Sequence, residues 1–271
     1  MKYCLKSRQN KKYLALADEI FVECRDYRQV SDLFIEYPDK MIILEITNEK
    51  FEEEESTFMN IVEEYSKISN NFCCCIYNLK QAMWFIEHEI KYYYGYPVST
   101  FYDVRALAAI GVEYIKVTAP LTFQIPNLAK FDTKFRMVPN VAYDAYIPRN
   151  DGICGQWVRP EDIEHYENGI YVFEFENANL EKERTLHHIY AEEKVWNGNL
   201  NLLITNLNIN ADNRAMPDEF GAMRSTCGQR CMVNGACHFC ATAFKFEEML
   251  RKIKRERDLE KKAENASQEE N

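Results

Sequence analysis

Residues 227–240 read CGQRCMVNGACHFC, four thiols within fourteen residues. The spacing Cys227-x3-Cys231-x5-Cys237-x2-Cys240 supplies enough thiolates to close a tetrahedral zinc site or to hold a [4Fe–4S] cluster. Gly228, Gly235 and Ala236 relieve crowding, so the backbone can turn tightly around a central ion. The spacing matches neither the C-x2-C pairs of a zinc ribbon nor the ferredoxin repeat. It points to one metal centre, an iron–sulfur cluster or Zn2+, without choosing between them. His238 could replace one cysteine, and Cys154 in GICGQW could add a ligand or a reactive thiol. The first role expected of the centre is structural. Between Asn206 and the C-terminal segment the large apolar residues are few (Ile209, Met216, Phe220, Met223). A thiolate-bound ion, worth on the order of 10 kcal/mol in small zinc domains, would order that segment better than burial.

A second set of chemistry-bearing residues sits inside apolar, strand-like runs. Strand alternation puts Glu23 and Arg25 on one side of EIFVEC, opposite Ile20, Val22 and Cys24. By the same rule Glu45 shares a side with Ile43 and Thr47, Lys116 with Thr118, Arg136 with Asn140, and Glu174 with Glu176. Burying an unpaired carboxylate against a helix costs several kcal/mol, so the charged sides should face each other. The expected site is Glu23, Glu45, Lys116, Asn140 and Glu174, converging where a polar or ionic ligand could bind and carboxylates could move protons or coordinate metal. The alternative is a structural ion-pair network. No histidine joins the set: His187 and His188 lie in a helical pattern beside Arg184 and Glu192, where surface histidines are the default. There is no G-x-S-x-G elbow and no H-E-x-x-H, which counts against hydrolysis by a known motif. The consecutive Cys73, Cys74 and Cys75 suit small hydrophobes in a strand better than a disulfide framework.

The elements that must position these residues are eight strand-like runs, at 19–24, 40–46, 71–78, 90–98, 112–120, 134–142, 169–176 and 199–207. Helical patterns lie between them. Val30, Leu33, Phe34 and Tyr37 keep i, i+3, i+4, i+7 spacing, and Leu79, Ala82, Met83, Ile86 and Ile90 form a second stripe. The helix around Val104, Leu107 and Ala108 should stop at Gly111 in a left-handed C-cap. Strand starts recur every 20 to 35 residues, as a strand plus crossover helix requires, and eight units predict a (β/α)8 barrel of the TIM type over 1–207. A doubly wound open sheet is the rival, weakened because no Gly-rich loop follows the first run. Residues 208–243 are then the Cys4 segment, and 244–271 a charged helix with a disordered tail. The long connection YDAYIPRNDGICGQWVRPEDIEHYEN has the length of a functional loop.

At 271 residues, 46% hydrophobic and 28% charged, the chain can bury a full-sized core. It has no run of eighteen apolar residues and its first residues lack a secretory pattern, so a soluble, cytoplasmic protein without a membrane partner is expected. Net charge is −10, which gives no support for general nucleic-acid binding. Residues 244–262 carry eight Lys/Arg against five Asp/Glu; this reads as a solvated helix, with a protein partner as the other use.

The order GVEYIKVTAPLTFQIPNL, then a strand ending at Asn140, then a cysteine-bearing C-terminal part, resembles the U32 peptidase, or collagenase-like, family. Cys231-Met-Val-Asn-Gly235-Ala-Cys237 echoes the Cys-x4-Gly-x-Cys half of its signature with one residue fewer, and Glu219-Phe220-Gly221 echoes the Glu-x-Phe start. The resemblance spans roughly residues 90–240. It implies a TIM-type barrel and either peptidase activity or, as in members with iron–sulfur clusters, hydroxylation of RNA bases or quinone precursors. Substrates on this reading are a polar small molecule, a peptide or an RNA base. The cysteines here are packed locally, whereas the family's cluster ligands are spread along the chain. From another class stands a non-catalytic barrel used as a binding or assembly module with structural zinc.

Overall fold

Eight short parallel strands close on themselves in chain order in the computed structural model, which describes residues 1–53, 55–118, 120–141, 156–175, 179–205 and 212–227. They are β1 (Lys2–Lys6), β2 (Glu19–Val22), β3 (Met41–Glu45), β4 (Phe72–Ile76), β5 (Tyr92–Val98), β6 (Tyr114–Val117), β7 (Lys134–Met137) and β8 (Val172–Glu174). The seam is β1 against β8, with Lys2 opposite Val172 and Cys4 opposite Glu174. The molecule is a (β/α)8 barrel.

The expected count of eight is right, but the runs are displaced by one place. The first seven are β2 to β8. The eighth, 199–207, is not a strand: Leu200–Leu203 is a short helix, and Thr205 makes only an isolated bridge to Val141. Its buried residues Leu200, Leu203 and Ile204 recur at i, i+3, i+4, a helical period, and the Asn199 side chain caps it by accepting from the Asn201 N–H. The missing strand is KYCLK, five residues framed by lysines, in which Cys4 faces the barrel interior while Tyr3 and Leu5 face the helices.

The helices are α1 (Lys11–Leu14), α2 (Val30–Glu36), α3 (Asn48–Glu53), α4 (Glu55–Ile68), α5 (Leu79–Glu87), α6 (Phe101–Ala109), α7 (Ile125–Leu128), α8 (Leu180–His188), α9 (Leu200–Leu203) and α10 (Phe220–Ser225). Among the described residues none is long and apolar enough to cross a membrane. α2 buries Val30, Leu33 and Phe34, with Tyr37 just beyond it. α6 ends as its sequence requires: Gly111 has φ +80°, and Val112 N–H donates back to Leu107 O. α5 departs from its stripe, burying Gln81, Ala82 and Phe85 while Leu79, Met83 and Ile86 are exposed. Gln81 sets that rotation, since its Nε2 donates to Ile46 O and its Oε1 accepts from Tyr77 N–H.

Alternation along the strands separates two cores. Ile20, Val22, Ile42, Leu44, Cys74, Ile115 and Val117 pack between sheet and helices, whereas Cys4, Ile43, Cys73, Cys75, Tyr93, Tyr114 and Val172 fill the barrel. The triple cysteine is therefore strand packing. Burial pushes all three thiols upward, Cys75 to about 12.

Candidate active site

Arg136 stands on β7 with its side chain in the barrel interior, 1% exposed. Its Nη1 donates to Glu19 Oε2 and its Nε to Glu174 Oε1, both at 2.5 Å, while the guanidinium lies over the Tyr93 ring at 4.5 Å. The other Glu174 oxygen meets Lys116 Nζ at 3.0 Å. Four charges from β2, β7, β8 and β6 thus form one chain, Glu19, Arg136, Glu174, Lys116. Burial alone would raise Glu174, but Lys116 and Arg136 outweigh it and hold the carboxyl at about 2. Every charge in the chain has an opposite partner, as interior charges require, although Glu19 Oε1 and Arg136 Nη2 are buried without a hydrogen bond among the described residues.

Lys116 and Glu174 open onto a cavity of about 470 Å3, also lined by Cys4, Lys6, Tyr77 and Tyr93, and by Glu183 from the first turn of α8. Lys6 and Glu174 end their strands and Lys116 is next to last, so the cavity occupies the C-terminal face of the barrel, where such folds place ligands. Gly95 keeps β5 close to β4 here: a Cβ would meet Cys75 Sγ at 2.4 Å. Glu45 accepts from Tyr77 OH at 2.9 Å and from Cys24 N–H at 3.3 Å. Glu23 lies at the end of β2 among cations, with Arg25 at 2.6 Å, Arg8 at 3.5 Å and Lys6 at 3.9 Å.

The structure therefore joins Lys116 and Glu174 directly, adds Glu45 through Tyr77, and links Glu23 through Lys6. Asn140 does not line the cavity. It is buried beyond β7, bridged to Trp157, with its Nδ2 donating to Thr205 Oγ1 at 3.4 Å. Sequence reasoning passed over Glu19, Cys4, Lys6, Tyr77, Tyr93 and Glu183. Glu19 was reachable, because it keeps the period of Phe21 and Glu23; Cys4 and Lys6 were lost with β1. His187 is buried rather than on the surface: it packs edge-on to Tyr3, and burial lowers its pKa. His188 is exposed, with Glu192 at 3.0 Å and Glu193 at 3.1 Å.

Cys154, Glu176, Cys231, Cys237, Cys240 and the charged C-terminal segment lie outside the described residues. Among the described residues no group of three or more His, Cys, Asp or Glu could hold a metal ion. Cys227 is described, half-buried two residues after α10. That helix is held by side-chain packing of its own. Phe220 stacks on Trp157 with ring centroids 5.1 Å apart, and Arg224 lies over Trp157 at 4.4 Å. Arg159 grips Asp162 at 2.5 and 2.7 Å directly beneath Gly221. These contacts seat residues 212–227, and the expected ordering by a metal centre concerns cysteines that, Cys227 apart, lie beyond them.

No family model matches the chain, and no curated relative does. Among solved structures it is similar to one described as a 4-hydroxy-2-oxoglutarate aldolase/2-deydro-3-deoxyphosphogluconate aldolase from TTHB1. The two share 12% identity over 67% of this chain and 88% of that one, with a TM-score of 0.38. The barrel assignment here stands on the closed strand order itself.

Proposed function

We propose that the chain is a U32-type barrel enzyme that binds a polar substrate at the C-terminal mouth of the barrel. The observation that carries this reading is Lys116: a cation placed on the cavity wall by a buried carboxylate that Arg136 in turn fixes. Such an ammonium is held in place before any ligand arrives, so it can hold a substrate oxygen without reorganisation. Cys227, Cys231, Cys237 and Cys240 would hold the metal centre, and their thiolates suit either iron–sulfur or zinc. An iron–sulfur cluster would supply electron transfer for hydroxylase-type chemistry; zinc would serve structure alone. Position supports the pairing of the two sites. α10, which delivers Cys227, packs against the turn Leu121–Phe123 that follows the C-terminal end of β6.

Two measurements test the proposal. Anaerobic purification should yield a protein with a visible charge-transfer spectrum and iron, and a colourless protein with one zinc per chain would remove the hydroxylase reading. Ligand-observed NMR with a panel of small polar metabolites should find binders that lose at least about tenfold in affinity in Lys116→Met, the loss of one charge-assisted hydrogen bond. Equal binding by the variant would defeat the mouth as substrate site.

A further inference from the structure

Two carboxylates share the mouth cavity, and their surroundings are opposite. Glu174 is clamped between two cations. Glu183 reaches in from α8, 1% exposed, and its Oε1 accepts from the Lys6 backbone N–H at 2.7 Å. Its Oε2 is buried with no hydrogen-bond partner among the described residues. Nothing in the ion-pair chain uses this side chain, and unlike Glu19, whose Oε1 is also buried without a partner, Glu183 lines the cavity. The charged and titratable groups around it are Lys6 and Cys4 from β1, Glu23 beyond β2, Tyr77 beyond β4, Tyr93 from β5, Lys116 from β6 and Glu174 from β8, with the neutral Gln9 side chain beside it. Of these cations Lys116 is taken by Glu174, and the Lys6 ammonium is drawn toward Glu23.

We propose that Glu183 is the proton-transfer group of this cavity, acting on a carbonyl-bearing polar substrate whose carbonyl oxygen Lys116 holds. Glu183 Oε2 takes a proton from the carbon next to the carbonyl. The C–H electron pair moves into the carbonyl, giving an enolate oxygen that the Lys116 ammonium stabilises. The proton then returns from Glu183 to the substrate or product, and no oxidant or further reactant is needed. Burial raises the Glu183 carboxyl above the usual range while Glu174 is held well below it. One carboxylate is thus held as the anion while the other is pushed toward its protonated form, a separation that marks acid–base pairs.

The inference rests on the mouth being the substrate site, and the test separates the two. Dihydroxyacetone is the probe, in D2O, with the full chain, following both its binding and the deuteration of its methylene carbons by NMR. Wild type should bind it and speed exchange at least about tenfold over buffer, with the rate rising as the Glu183 carboxyl ionises. Glu183→Gln should bind the probe but lose the acceleration, and Glu183→Asp should recover part of it with a shifted pH profile. Infrared titration should show a protonated carboxyl that persists above the ordinary glutamate range and is missing from Glu183→Gln. Lys116-dependent binding with exchange equal in wild type and Glu183→Gln overturns the role of Glu183 and spares the mouth. Absence of Lys116-dependent binding overturns both. A purely structural Glu183 would lower stability in both variants without moving the pH profile.

Discussion

Arg136 balances two carboxylates, Glu19 and Glu174, inside the barrel. Replacing it with Leu leaves Glu19 uncompensated and Glu174 with Lys116 alone, and removing one partner of such a buried network costs about 3–5 kcal/mol. Denaturant unfolding of Arg136→Leu should show a loss of that size, with Glu19→Gln introduced alongside recovering part of it. Glu174 makes a second prediction through pH. Its folded carboxyl sits at about 2, below the unfolded value, so its contribution is present above the unfolded value and fades as pH falls through the folded one. Over the full shift this amounts to about 3 kcal/mol. Wild type should lose that stability between roughly pH 5 and pH 2, and Glu174→Gln should show a flatter profile over the same interval. Equal slopes would show that the ion chain does not govern acid unfolding.

At the level of elements, residue patterns were legible where one face decides everything. The period-2 alternation of β2, β6, β7 and β8 placed Ile20, Val22 and Cys24 against helices and Lys116, Arg136 and Glu174 inward. Gly111 announced the end of α6. Patterns failed where a tertiary contact outweighed them. Gln81 turned α5 away from its apolar stripe, and the lysines framing β1 hid a strand whose pairing depends on both neighbours. The site was legible only in part for the same reason: sequence shows which side of a strand a charge takes, but not that Glu183 enters from a helix to meet it. α10 offers a test of how tertiary packing holds such an element. A Cβ on Gly221 would come within 2.4 Å of the Asp162 carboxyl carbon, and Asp162 cannot yield because Arg159 grips both its oxygens. Gly221→Ala should cost about 1–3 kcal/mol, and limited proteolysis should cut within 212–227 far faster than in wild type.

For the whole molecule, the barrel and the cysteine cluster should respond separately. Substituting Cys231 and Cys237 with Ser should abolish metal binding and expose residues beyond 227 to protease, while cooperative unfolding of the barrel stays within about 0.5 kcal/mol of wild type, as for changes outside a packed core. Unchanged metal content in that variant would show that the four thiols do not share an ion. Closure itself carries a consequence for how the chain is made. β1 leaves the ribosome first, yet its partner β8 arrives some 170 residues later, since Lys2 pairs with Val172. Joining ends that far apart costs about 4–5 kcal/mol in chain entropy. Until Glu174 emerges, the nascent sheet has an unpaired border on each side, one of them the waiting KYCLK segment, and both are open to pairing with another chain. Translation speed through residues 134–174 therefore sets how long that risk lasts, and slow codons there should raise aggregation without changing the finished protein.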